Sequence, residues 1–357
     1  MTNASPATPA TSAVDAALRQ LWDRLRGEQP RLRIRDAAAQ LGVSELQLLL
    51  TEPADELLRL EPRAGDIIKA LEGLGRVMTL SRNQAVVHET KGVIRNVDIA
   101  ASGQMGLCLG EIDLRLFLSK WKHAYAVRQA AQGGRDSLQF FDAAGGAVHK
   151  IYYFGEDGDA TYKAAWDALI QRFTAPEQRP PIAFAAPEPK PPRSAPKDAQ
   201  ALLADWAAMT DTHQFHGLLK RHGADRLSAL EAATPTWATP LAADTYERAL
   251  TLAAERGQSI MAFVGNPGIV QIYSGTVHKL MRAGPWFNVM DDNFNLHANS
   301  SAIVACWRVR KPSEDGDIHS IECFDADDEL VLTLFGERKP GIPEQAGWRQ
   351  LLEALRV

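Results

Sequence analysis

Two histidines three positions apart, His213 and His216, lie in the stretch MTDTHQFHGLLKRHG, Met209 to Gly223. A neutral imidazole donates a lone pair to a metal or to a heme iron. On a helix, an i, i+3 spacing puts both rings on one side. The surroundings suit a helix. Thr210 or Asp211 offers a capping oxygen to the first unpaired N–H groups. Phe215, Leu218 and Leu219 form a short apolar face, and Gly223 can end the helix in a left-handed turn. Spacing alone describes two surface histidines equally well. Zinc fits poorly, because the chain has no HExxH and no cysteine pair nearby. His222 reads as a group at the helix end rather than a ligand. His88, His149, His278 and His319 sit in strand or turn patterns and are assigned no role.

The composition bounds what can carry that helix. The chain has 357 residues, 45% of them hydrophobic and 23% charged, which is enough for two domains with real cores. A net charge of −5 does not suggest a general nucleic-acid or anionic-membrane surface. No apolar run approaches the roughly 18–20 residues that cross a bilayer. The opening MTNASPATPATS lacks a basic start and an apolar core, so it reads as a disordered tail over residues 1–13, not a secretory signal. Cys108, Cys306 and Cys323 are few and far apart. That fits a reducing cytoplasm, and all three read as small buried hydrophobes.

An amphipathic helix is expected over Val14 to Glu28, ending before Pro30. RDAAAQLGVSE then reads as helix, turn at Gly42 and a second helix capped by Ser44. This is the local pattern of a DNA-binding helix-turn-helix over residues 31–50. Its second helix, from Glu45 to Leu50, is too apolar to offer many base contacts, so packing under a sheet is the reading preferred. A further helix is expected over Ile67 to Leu74. Strands follow at Val77–Leu80, Ala85–His88, Val93–Ile99 and Met105–Leu109. Ile112 to Leu118 alternates, so Leu114, Leu116 and Leu118 face one side and Asp113, Arg115 and Phe117 the other. Trp121–Arg128, Ser137–Phe141 and Val148–Phe154 continue the sheet, and Ala164 to Phe173 closes it with a helix. Residues 175–200 are rich in proline and read as an extended connector.

The second half repeats the first. Asn83, His88 and Gly92 match Asn266, Gln271 and Gly275 at a separation of 183. Tyr125 to Arg128 matches Trp307 to Arg310 at 182, SLQFFD matches SIECFD at 183, and Trp166 matches Trp348 at 182. Two copies at so long a period mean tandem domains, not a solenoid. The expected fold is α+β, with two repeats at 14–174 and 201–357, each a large antiparallel sheet flanked by helices. A cleft between the halves is the natural ligand site. The copies must differ there, and Arg115 of the first aligns with His297 of the second.

The string MTDTHQFHGLLKRHGADR resembles the proximal-helix segment of the HemS/ChuS/PhuS family of bacterial cytoplasmic heme-utilisation proteins, the hemin-degrading factors. SRNQAVVHETKG, IDLRLFLSKW, MAFVGNPGIVQIYSG, WRVRKP and FGERKPG support the likeness, which covers nearly the whole chain from about Ala16. The resemblance implies heme b in the cleft as ligand or substrate. It places the iron-ligating histidine at His213 and a distal arginine, the catalytic group if the protein is an enzyme, at Arg115 with Phe117 nearby. It places propionate-binding residues at Arg226, Lys311 and Arg338, and a wall aromatic at Phe263. His216 falls where the PhuS-like branch carries an extra histidine, an alternative ligand. Phe335 departs from the family, where a tyrosine is common, and loses a hydroxyl hydrogen bond. The implied function is a cytoplasmic heme carrier of heme-iron uptake, receiving heme from an inner-membrane importer and delivering it for iron release, with a heme oxygenase as a candidate acceptor. The alternatives are a heme-degrading enzyme and a heme-responsive DNA-binding regulator. No GxGxxG is present, so an enzyme would take its electrons from outside.

Overall fold

The computed structural model describes residues 13–129, 134–155, 159–339 and 341–355. The expected N-terminal tail, apart from its last residue, lies outside them. In chain order the described elements of the first copy are α1 (Ala13–Glu28), α2 (Ile34–Leu41), α3 (Glu45–Leu49), β1 (Leu57–Leu60), α4 (Ala64–Ala70), β2 (Arg76–Arg82), β3 (Val86–Val93), β4 (Asp98–Ile99), β5 (Gly106–Cys108), β6 (Asp113–Leu116), β7 (His123–Val127), β8 (Ser137–Phe141), β9 (Ala147–Tyr153) and α5 (Ala160–Phe173). Those of the second are α6 (Ala199–Ala207), α7 (Gln214–His222), α8 (Arg226–Ala232), β10 (Ala238–Leu241), α9 (Thr245–Arg256), β11 (Ile260–Asn266), β12 (Ile269–Gly275), β13 (Leu280–Ala283), β14 (Trp286–Met290), β15 (Phe294–Asn299), β16 (Ile303–Lys311), β17 (Ile318–Asp325), β18 (Leu330–Gly336) and α10 (Ala346–Ala354).

The fold is α+β. Among the described residues there are two nine-stranded sheets, ordered β1-β7-β8-β9-β2-β3-β15-β14-β13 and β10-β16-β17-β18-β11-β12-β6-β5-β4. Every register that the structure fixes between neighbouring strands is antiparallel, as strands joined by short turns require. Each sheet takes six strands from one copy and three from the other. The strand triplet β13–β15 of the second copy pairs onto β3 of the first, with Leu296 opposite His88. The triplet β4–β6 follows β12 in the second sheet. The copies are therefore duplicated in sequence but exchanged in pairing.

The chain forms two compact units. The first comprises Met1–Thr79, Val93–Gly110 and Arg115–Pro187, and the second Leu80–Gly92, Glu111–Leu114 and Glu188–Val357. In the first unit, Ser44 starts α3 with a full capping box: its hydroxyl accepts from Gln47 N at 3.2 Å, and its own N–H donates to Gln47 Oε1 at 2.8 Å. The apolar second helix is spent on packing. Leu46 and Leu49 meet Leu57, Tyr125, Val127 and Phe141, and Leu48 meets Trp22, Ala37 and Ala38. Buried Glu45 is ion-paired to Lys150. Residues 175–198 carry no helix or strand. They are nonetheless pinned: Arg179 donates to the carbonyls of Leu50 and Glu52 at 2.6 and 2.9 Å.

Two sequence expectations need correction. Val93–Ile99 is not one strand: β3 ends at Val93, the chain turns at Asn96 with φ 49°, and only Asp98–Ile99 pairs onward. Strand β1 was absent from the sequence reading. Its LLRL pairs with β7, Leu57 opposite Val127 and Leu60 opposite Ala124.

In the second unit one sheet carries helices on both faces. Register shows which residues share a face, because cross-strand partners and every second residue point the same way. Ile321, Cys323, Leu334, Ile260 and Ala262 meet Tyr246 and Leu250 of α9 and Trp348 and Leu351 of α10. On the opposite face, Trp307, Val309 and Phe324 meet α6, α7 and α8 through Trp206, Phe215, Leu218 and Leu230. All three cysteines are buried and unlinked.

Candidate functional site

The apolar face and the end of α7 are as the pattern predicts; its start is not, since the N-cap position falls on His213, which makes no side-chain cap bond. Phe215, Leu218 and Leu219 are buried, and the Phe215 ring meets Trp206 edge-on with centroids 4.6 Å apart. Gly223 ends the helix at φ 61°, a conformation that glycine adopts without strain. His222 is held by Asp205, Nε2 to Oδ2 2.9 Å. His213 and His216 are both exposed at the helix start.

The start of the helix is built by side chains. Gln214 Oε1 accepts from Thr210 N at 3.0 Å, and its amide donates to Thr210 Oγ1 at 3.1 Å. Asp211 Oδ1 accepts from the His213 backbone N–H at 2.8 Å and also meets His213 Nδ1 at 2.6 Å. Those two bonds, the backbone one first, hold the Asp211 carboxyl below the usual carboxylate range. An ionised carboxylate can only accept, so Nδ1 carries the proton of the neutral ring. Nε2 is left with its lone pair on a side chain that is 90% exposed. This is the tautomer and orientation that a ligating imidazole needs.

Beneath α7 lies a buried charge cluster. Glu322, on the sheet face under the helix, is fully buried. Arg226 Nη1 donates to its Oε2 at 2.8 Å and Lys311 Nζ to its Oε1 at 2.5 Å. Both cations also face the Phe215 ring, Arg226 Cζ at 5.0 Å and Lys311 Nζ at 4.4 Å from its centroid. Burial alone would raise the Glu322 pKa, but Arg226 and Lys311 outweigh it and hold the group at about 2. Burial lowers the Lys311 pKa, with Glu322 opposing. Two of the three cations expected to meet propionates are thus committed to Glu322.

The third, Arg338, stands nearer the histidine. It follows β18 and approaches Asp315 at 3.4 Å, and its charge is felt at Asp211. The β16–β17 loop that carries Asp315 is tied to the helix start, Glu314 N donating to Thr210 O at 2.8 Å. On the same sheet face, cross-strand rows run Trp307–Glu322–Thr333–Phe263 and Val309–Ser320–Phe335–Met261. Phe263 and Phe335 are half-buried and meet edge-on with centroids 5.1 Å apart. The second unit therefore gathers His213, His216, Arg226, Phe263, Lys311, Phe335 and Arg338 on one side of one sheet. Arg115 and Phe117 belong to the first unit, on the half-buried face of the β6 segment, while Leu114, Leu116 and Leu118 are buried. A cavity of about 250 Å³ opens on the other face of the second sheet, lined by Trp237, Arg308, Arg310 and His319. Its arginines pair with Glu353 and Asp317, and it holds none of these residues.

The sequence reading missed three partners. Asp211 was seen only as a cap, although an Asp-x-His spacing is a signal for an oriented imidazole. Glu322 was seen only as a repeat marker, and Asp315 not at all. A glutamate flanked by Ile321, Cys323 and Phe324 in β17 was the available sign.

Comparison with known proteins identifies the family. The "Haemin-degrading HemS.ChuX domain" family matches twice, at residues 42–173 and 223–355. The hemin transport protein HmuS of Yersinia pestis is 36% identical over 349 residues, 96% of this chain and 98% of its own. Holo-PhuS, a heme-binding protein of Pseudomonas aeruginosa, is 45% identical with a TM-score of 0.89, covering 96% of this chain and 99% of its own. ChuS, a heme degrading enzyme of Escherichia coli O157:H7, is 33% identical with a TM-score of 0.86, with the same coverage. With the domain matched in both copies and nearly the full length shared, the chain belongs to the HemS/ChuS/PhuS family.

Proposed function

We propose that this protein binds heme for heme-iron uptake and utilisation, holding the iron through His213 Nε2 and passing the heme on. The observation that carries the reading is the His213 imidazole, held through Nδ1 with Nε2 on a side chain 90% exposed, on the same side of the second sheet as the half-buried Phe263–Phe335 pair. Heme is a flat apolar ring with two carboxylates, and it calls for an axial donor, aromatic walls and cations. Arg338 is the cation best placed for a propionate, since Arg226 and Lys311 serve the fully buried Glu322, whereas Arg338 meets the partly exposed Asp315 at 3.4 Å. Arg115, with Phe117, is the group proposed for the distal side. A guanidinium ligates poorly while charged but hydrogen-bonds a bound water or dioxygen. His216, one turn on, is proposed as the alternative ligand that eases release.

The upstream partner on this reading is an inner-membrane heme importer and the downstream one a heme oxygenase, with the protein in the cytoplasm. No helix among the described residues is long and apolar enough to cross a membrane. The test is transfer. Hemin-loaded wild type is mixed with an apo-oxygenase and the Soret change is followed. His216→Ala must slow the transfer, and unchanged kinetics would remove the exchange role.

Degradation is the second reading, favoured by the likeness to ChuS. The chemistry would be that of the bound heme, and the chain would supply His213 and Arg115 to orient it. Heme incubated with reductant and catalase must then give a ring-opened tetrapyrrole in stoichiometric yield. Intact heme after many equivalents of reductant would exclude it.

A further inference from the structure

The Asp211–His213 pair has a geometry that goes beyond holding a helix start. One carboxylate oxygen takes both the backbone N–H and the ring Nδ1–H of the same histidine, at 2.8 and 2.6 Å. An Asx turn before the helix needs only the first bond. The second fixes the ring through Nδ1, leaves Nε2 as the lone-pair nitrogen of a side chain that is 90% exposed, and sets the carboxylate against the opposite ring nitrogen. Three neighbours keep the carboxylate there. The Thr210–Gln214 bonds close the turn around it, Glu314 N holds Thr210 O, and the Arg338 charge lies close by.

We infer that Asp211 is a positioning and tuning residue for the axial ligand, giving His213 imidazolate character and so strengthening its bond to ferric iron. The inference rests on the reading of His213 as the ligand. A hydrogen bond from the distal ring nitrogen to a carboxylate raises ligand basicity and orients the ring, and such partners are worth about 10–100-fold in metal affinity. An anionic acceptor favours the more highly charged ferric state over the ferrous one. Asp211 therefore holds the iron ferric against cellular reductants, which suits a carrier more than an enzyme that must be reduced to act. Among the described residues His216 has no hydrogen bond of this kind to a carboxylate, so the two candidate ligands differ in strength. His213 is the resting ligand and His216 the weaker one, used on the way out.

The experiment compares wild type, Asp211→Asn and Asp211→Ala as hemin complexes. Asparagine keeps an acceptor oxygen at the same place and removes only the charge. In Asp211→Asn the iron–histidine stretch of the ferrous complex must move to lower frequency and the ferric/ferrous midpoint must become more positive, with hemin still bound at one per chain. Asp211→Ala, which also loses the turn, must weaken hemin binding by about 10-fold or more. A wild-type iron–histidine stretch that Asp211→Asn leaves unmoved, with an unmoved midpoint, overturns this proposal alone. A wild-type complex with no iron–histidine stretch, or one that His213→Ala leaves unchanged, overturns the ligand reading and this proposal with it.

Discussion

Glu322→Gln isolates the buried charge cluster from the heme question. The substitution keeps size and removes one negative charge between two cations. Lys311 has only 6% of its side chain exposed and cannot turn to water, whereas Arg226, at 28%, can. Removing one partner of a buried pair costs about 3–5 kcal/mol. Because Arg226 can escape, the lower end applies, about 3 kcal/mol. With an m-value of about 3 kcal/mol per molar urea for a chain of this size, the unfolding midpoint falls by about 1 M. Tryptophan fluorescence reads it, since Trp206 packs on the Phe215 ring that both cations face. Lys311→Met with Glu322→Met removes both charges and must recover most of the loss. The pH dependence has a fixed sign. The folded carboxyl titrates at about 2, below its ordinary 4.5. Its contribution is present in full above pH 4.5 and lost as pH falls from there towards 2. The gap between wild type and Glu322→Gln must close over that window. A variant within about 0.5 kcal/mol of wild type at pH 7, inside the scatter of surface substitutions, would refute the reasoning, as would a gap that persists at the acid end.

Ser44→Ala removes the capping box that starts α3 and should cost about 1 kcal/mol in urea unfolding; a neutral result would mean the box adds nothing to the packing of Leu46 and Leu48. Gly336→Ala would put a Cβ 2.6 Å from Trp348 Cβ, so the α10 helix must shift and stability must fall by about 1–3 kcal/mol, with no loss expected for Gly257→Ala beyond that of its backbone conformation. Cys108, Cys306 and Cys323 are all buried, so a thiol reagent should find almost no reactive cysteine in the native protein and three after denaturation; fast native labelling would contradict the packing.

What the sequence made legible follows a rule. Where local chemistry and packing agree, the residues announce it. Ser44 after Gly42, the Phe215/Leu218/Leu219 face ending at Gly223, and the alternation that leaves Arg115 and Phe117 on the half-buried side all stand as expected. The repeat was legible because Trp166 and Trp348 each anchor a terminal helix on a sheet. Pairing partners were not. The duplication implies strands in the second copy but not that three of them add to β3 of the first, because an edge strand accepts any complementary edge. Ile94 and Val97 are buried β-formers, so a run through them reads as strand, yet Asn96 tolerates the left-handed turn that breaks it. The roles of Arg226 and Lys311 were hidden for a like reason. Their partner Glu322 lies 96 and 11 positions away, and only the folded sheet brings the three together.

The central claim is that an imidazole at the start of α7 holds heme iron, and hemin titration followed by absorbance tests it most directly. Wild type should saturate at one hemin per chain with the Soret band of histidine-ligated ferric heme. His213→Ala should shift that band and weaken binding by about 10-fold or more, and adding His216→Ala should abolish the histidine-ligated spectrum. A double variant that binds hemin with the wild-type spectrum and affinity would contradict the account.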